Sequence, residues 1–126
     1  MRVDEALRWL SFARDGLRVA QMAFREEIYT QACFHAQQCV EKVLKALWVL
    51  YEKVPPRTHN LKRLWFQMPT NRQVLSLSLE EIDFLNGFYV PTRYPDALPG
   101  TLPEGYPGQE VARKALDLAD AVFRRR

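Results

Sequence analysis

Val3, Leu10, Leu17 and Phe24 recur every seven residues, and Ala6, Ala13 and Ala20 run between them at the same spacing. An apolar repeat of seven is the seam of two packed helices, and a row of alanines in it lets a second helix approach closely along its whole length. The pattern predicts a helix from about Asp4 to Phe24, with Asp4 as N-cap, Glu5 in the first turn and Gly16 as a tolerated weak point. A partner of matching length follows. Thr30 is a good N-cap, and a helical pattern continues from it to about Lys53, where Pro55 and Pro56 stop it. Its core stripe is Ala32, Ala36, Cys39, Val40, Val43, Leu47 and Leu50. At ~1.5 Å per residue both helices are about 35 Å long, and the short Glu-Glu-Ile-Tyr link between them reads as an antiparallel hairpin.

Three shorter helical patterns follow. Thr58 or Asn60 can cap a short helix carrying Leu61, Leu64, Trp65 and Met68, which Pro69 ends. Ser78 and Glu81 form a capping box for a fourth helix, whose apolar face is Leu79, Ile82, Leu85 and Phe88 and which ends near Tyr89. Five prolines and three glycines between Pro91 and Gly108 exclude a helix there, so a long loop is expected. Val111, Ala112, Ala115, Leu118, Ala119, Val122 and Phe123 then mark a last helix, with Arg124, Arg125 and Arg126 suiting its C-terminal end. No segment alternates with period two for long enough to be a strand. The expected fold is all-α, an up-and-down bundle of four to five helices forming one domain over residues 1–126.

A chain of 126 residues with 48% hydrophobic content can bury a single core without disulfide or metal staples. Its 18 basic and 15 acidic residues permit a polyanionic partner but argue only weakly for one. Cys33 and Cys39 lie six residues apart on one helical pattern, about 240° around the axis, so they cannot bridge each other. The same angles prevent Cys33, His35 and Cys39 from converging with His59 on a metal, and neither metal nor cofactor is expected. With no signal peptide and no apolar run long enough to span a bilayer, a reducing cytoplasm is the natural location.

Two features of the second helix bear on function. Phe34 and Trp48 lie roughly opposite its core stripe and, as exposed aromatics, are expected to meet a later helix or a second subunit. His35, Gln38, Lys42 and Lys45 form a polar strip within about 80° of arc. The plain alternative is a solvated face on which Glu41 and Lys45 make an i,i+4 pair worth only ~0.3 to 0.5 kcal/mol. A partner for the strip is offered by Arg57-Thr58-His59-Asn60-Leu61, where His59 falls in the N-terminal turn of the short helix, a place that favours a bound anion, although a lone histidine that only satisfies a loop carbonyl would account for the same residue.

The most rigid polar stretch is Thr92-Arg93-Tyr94-Pro95-Asp96. Pro95 fixes its own φ and pushes Tyr94 out of the α region, so Arg93 and Asp96 are aimed at something. A guanidinium suits phosphate or carboxylate, although Arg93 and Asp96 paired with each other, or capping a neighbouring helix, would account for the same residues. No Gly-rich phosphate loop and no hydrolase triad competes with this reading.

The segment YTQACFHAQQCVEKVLKA at 29–46, RTHNL at 57–61, RYPD at 93–96 and Tyr106 before an Ala-rich last helix together resemble the HEPN family (higher eukaryotes and prokaryotes nucleotide-binding), in its RYPD-containing branch. The resemblance covers nearly the whole chain. It implies a helical bundle similar to the C-terminal domain of kanamycin nucleotidyltransferase, usually a homodimer, paired with a minimal nucleotidyltransferase in a toxin–antitoxin-like system. Many members are ribonuclease toxins with an Arg followed four to six residues later by His. Arg93 fits that Arg, but positions 97–99 are Ala, Leu and Pro, and only His59 remains to substitute. The function expected is a nucleotide- or RNA-binding module whose phosphate-binding groove is formed by Gln38, Lys42, Lys45, His59, Arg93 and Asp96. The alternatives are a metal-independent ribonuclease using His59 and Arg93, and a non-catalytic interaction scaffold.

Overall fold

The alanine row predicted to admit a close neighbour does so: Ala6, Ala13 and Ala20 are all buried against a second helix. In the computed structural model, which describes residues 2–68, 77–89 and 107–124, the chain forms five helices among the described residues. They are α1 (Val3–Arg25), α2 (Tyr29–Leu50), α3 (Leu61–Phe66), α4 (Leu79–Asn86) and α5 (Gln109–Arg124). The architecture is the all-helical bundle expected, with α1 and α2 as its long antiparallel hairpin and α2 packed against every other helix. None of these helices is long and apolar enough to cross a membrane. The stretch 90–106, containing most of the Pro- and Gly-rich segment, lies outside the described residues.

The hairpin turn uses backbone chemistry that the residue types do not advertise. Glu27 and Glu52, each one residue past a helix C-cap, adopt the left-handed conformation at φ 62° and 61°. Ile28 N then donates to Ala23 O (2.8 Å) and Glu27 N to Phe24 O (3.0 Å), and Lys53 N and Glu52 N repeat the pattern on Trp48 O (3.0 Å) and Val49 O (2.9 Å). This is a Schellman closure of both helices, made with glutamate where glycine is usual. Helix starts also differ from expectation. Arg2, not Asp4, is the N-cap of α1, with Asp4 and Glu5 both in the first turn; Ile28 precedes α2, so Thr30 lies inside its first turn without a capping bond. Ser78 and Glu81 do form the capping box, but Leu79 is 49% exposed, while Ile82, Leu85 and Phe88 are buried.

Because α2 is central, 14 of its 22 residues are buried, leaving no ordinary solvent face. Trp48 is therefore not an exposed aromatic. It is buried, and its Nε1 donates to Leu64 O at 3.0 Å, pinning α3 onto α2. Phe34 is half-buried, with Tyr89 5.8 Å away between ring centroids. On α1 the contact centres on the alanine row and Leu17, all buried, while Leu10 and Phe24 pack at its edge and Val3 stays 51% exposed. A thin row beats a bulky seam here because small side chains let the backbones close in.

Gly16 marks that close approach. A Cβ built there would lie 3.7 Å from Cys39 N and His35 O, an ordinary contact, so alanine fits without displacing α2. Gly16→Ala is expected to stabilise the fold by about 0.5–1 kcal/mol, the helix-interior cost of glycine, as read from the urea midpoint at unchanged slope. A lower midpoint would mean that the helices touch more tightly at this point.

Candidate functional site

The centre of the polar cluster is a residue that a helix-face reading leaves on the surface. Glu41 is fully buried. Its Oε2 accepts from Lys45 Nζ (3.0 Å) and Lys42 Nζ (3.2 Å), and its Oε1 lies 2.9 Å from His59 Nδ1 and accepts from Gln38 Nε2 at 3.3 Å. An isolated buried carboxylate is costly, whereas one met by this many donors is held in a single place. Burial alone would push the Glu41 carboxyl up; the charge of Lys42 and the hydrogen bonds from His59 and Lys45 outweigh it and hold the group below the ordinary glutamate range. The Glu41–Lys45 pair is thus a buried interaction and not the weak surface pair that its spacing suggests.

His59 arrives from the segment between α2 and α3. Gln37, also fully buried, donates from Nε2 to His59 O at 3.0 Å and accepts from Gln38 Nε2 at 2.7 Å, so backbone and ring of His59 are both tied to α2. A carboxylate below its ordinary pKa only accepts, so Nδ1 carries the proton in the contact with Glu41. The ring also stacks on Tyr89, centroids 4.0 Å apart and planes 13° from parallel. At the other side of Glu41, the ammonium groups of Lys42 and Lys45 lie 5.7 and 5.6 Å from the centre of the Trp9 ring. Two ammonium groups against one carboxylate leave a positive charge between two aromatic walls.

His59 gains no anion-binding power from the helix terminus beside it. Asn60, the N-cap of α3, accepts from Lys62 N (3.0 Å) and Arg63 N (3.4 Å), and Asn86 Oδ1 accepts from Leu61 N at 2.7 Å. The first donors of this six-residue helix are spent on side chains from α3's own cap and from α4. Any attraction for an anion comes from the lysines.

The structure therefore brings together Gln38, Lys42, Lys45 and His59. It turns Lys45 inward, with its side chain only 10% exposed, against 24% for Lys42 and 46% for His59. His35, from the same strip, packs edge-on against Phe34, and its burial lowers its pKa. Arg93 and Asp96, with the rest of the RYPD stretch and Tyr106, lie outside the described residues. Sequence reasoning missed Glu41, Gln37, Tyr89 and Trp9. For the first two a signal existed: Gln37 and Glu41 are four apart on a helix whose other sides carry Val40, Leu44, Trp48 and Val49, and polar groups on an all-round apolar helix are buried ones. Cys33 and Cys39 are free and buried, and burial pushes the Cys33 thiol up to about 12.

Comparison with known proteins places this arrangement in a family. The model of the HEPN domain matches residues 6–125. The crystal structure of TT1696 from Thermus thermophilus is similar at a TM-score of 0.80 and 32% identity, over 98% of this chain and 95% of that one. That of ST0689, an archaeal HEPN homologue, is similar at a TM-score of 0.70 and 28% identity, over 98% of this chain and 93% of that one. No curated protein matches the chain. With a family model spanning nearly its whole length and two helical structures superposing on it, the chain belongs to the HEPN domain family.

Proposed function

We propose that this protein is a single-domain binding module for the phosphate of a nucleotide or RNA, acting with a minimal nucleotidyltransferase in a toxin–antitoxin-like pair. The observation that carries the binding part is the buried Glu41: it fixes Lys42 and Lys45 beside one another with an excess of positive charge and ties His59 next to them, so a ligand anion finds the lysine donors already ordered. Trp9 and Tyr89 border the cluster with π-faces of the kind on which bases stack. Tyr89 also stands four residues before Arg93, which covalent geometry keeps within about 14 Å of it. This supports adding Arg93 and Asp96 to the same groove.

Trp9 supplies the test. Trp48 and Trp65 are buried, so a fluorescence change on titrating AMP or a short single-stranded RNA reports chiefly on the tryptophan beside the lysines. Saturable quenching is expected, and Lys42→Ala should weaken binding by about tenfold or more, the loss of one charge-assisted contact. No saturation with any nucleotide or RNA would leave the scaffold reading. The same RNA should not be cleaved above background, since the histidine that follows the arginine in ribonuclease members is absent. Metal-free cleavage lost in both His59→Ala and Arg93→Ala, with folding intact, would replace the binder with a nuclease in which Glu41 orients the imidazole.

Self-association belongs to the same proposal, though not through Phe34 and Trp48. A groove of about 280 Å³ between α1 and α2, lined by Leu10, Leu47, Leu50 and Tyr51, is flanked on α1 by the exposed Val3 and Leu7. A second copy would cover this apolar surface. Sedimentation equilibrium at micromolar concentration should give twice the 14.8 kDa chain mass; a stable monomer would exclude the dimer.

A further inference from the structure

The contact between Glu41 and His59 says something about the ligand as well as the fold. Glu41 Oε1 meets Nδ1 at 2.9 Å, and one face of the ring is taken by Tyr89. A neutral imidazole has one N–H and one lone pair. With the proton held on Nδ1 by the carboxylate, the lone pair lies on Nε2, on the ring edge away from Glu41. The side chain is 46% exposed, and no described residue donates to Nε2. The carboxylate itself separates the two functions of the site: Oε2 carries the ammonium groups and Oε1 the imidazole, which sets a fixed hydrogen-bond acceptor next to an anion-binding charge.

An acceptor nitrogen repels an ionised phosphate oxygen, which only accepts. A molecule that satisfies both halves must carry a hydroxyl donor a short distance from its phosphate. In a nucleotide the donors nearest the phosphate are the ribose hydroxyls, the 2′-hydroxyl being the group that distinguishes RNA from DNA. We infer that Glu41 is a positioning residue that holds His59 in its Nδ1–H form, and that the site selects nucleotides carrying a free ribose hydroxyl over those without one, with the phosphate on Lys42 and that hydroxyl donating to His59 Nε2. The inference rests on the anion-site reading above.

Long-range ¹H–¹⁵N correlation on the full chain at pH 8 reads the tautomer directly, and His59 should show the Nδ1–H pattern. In Glu41→Gln, whose amide can donate to Nδ1, the Nε2–H pattern should gain. Titrations of AMP and 2′,3′-dideoxy-AMP, followed by Trp9 fluorescence, should give a preference for AMP of about fivefold or more, one hydrogen bond's worth. His59→Asn is the second variant, because an asparagine amide can replace Nδ1–H against Glu41 while removing Nε2. It should fold and bind AMP no better than dideoxy-AMP. An Nε2–H tautomer in the wild type, or equal affinity for the two nucleotides, overturns the inference and leaves the anion site standing. Failure of both nucleotides to bind removes the anion site, and the inference with it.

Discussion

Replacing Glu41 with alanine is expected to lower stability by about 3–5 kcal/mol, the cost of breaking a buried ion pair by removing one partner. The change does more than delete one group. Lys45, with its side chain 10% exposed, would be left as a nearly buried cation without its partner, and the His59 and Gln38 donors would face a cavity. For a chain of 126 residues this corresponds to a fall in Tm of roughly 10–20 °C. The pH dependence has a definite sign. Glu41 sits below its ordinary pKa in the fold, so its contribution is fully present above the unfolded value of about 4.3 and is lost as pH falls through the lower folded value. The stability gap between the wild type and Glu41→Gln should therefore be constant near neutral pH and shrink in acid. A Glu41→Ala variant within about 1 kcal/mol of wild type would mean that water reaches the cluster and that its charges are not preorganised.

Arg93→Ala is expected to weaken nucleotide or RNA binding by about tenfold to more than a hundredfold, while moving Tm little. The asymmetry comes from local chemistry. Pro95 restricts Tyr94 and so the direction of the segment, which lets the guanidinium reach a phosphate at a small cost in ordering. A charge-assisted contact of that kind contributes ~1.5 to 3 kcal/mol. The chain enters this segment from Tyr89, whose ring lies against His59. Parallel thermal melts and Trp9 titrations of the variant separate the possibilities. Unfolding without a separate loss of affinity would assign Arg93 to an ion pair with Asp96 or to a helix terminus.

Much of the hairpin was legible before any coordinates, because helix periods, proline stops and the Ser78–Glu81 capping box are properties of residues a few positions apart. So was the meeting of RTHNL with the polar strip, since a short segment after a Pro-Pro break has few places to go. The family too could be read, because its motifs keep their order along the chain. What local pattern could not supply is which sides of α2 would be covered. Trp48 looks exposed on a helix considered with one neighbour, and becomes buried once Leu64 accepts its indole N–H. Glu41 and Lys45 look like a solvated pair until His59, 18 residues further along the chain, closes over them. The amino-acid sequence by itself determined the helices and their order, since those follow from short-range periodicity. Only the tertiary structure decided that Glu41 is the buried anchor of the site, because burial depends on every element packed around a residue and a carboxylate's character changes with the partners that replace its water.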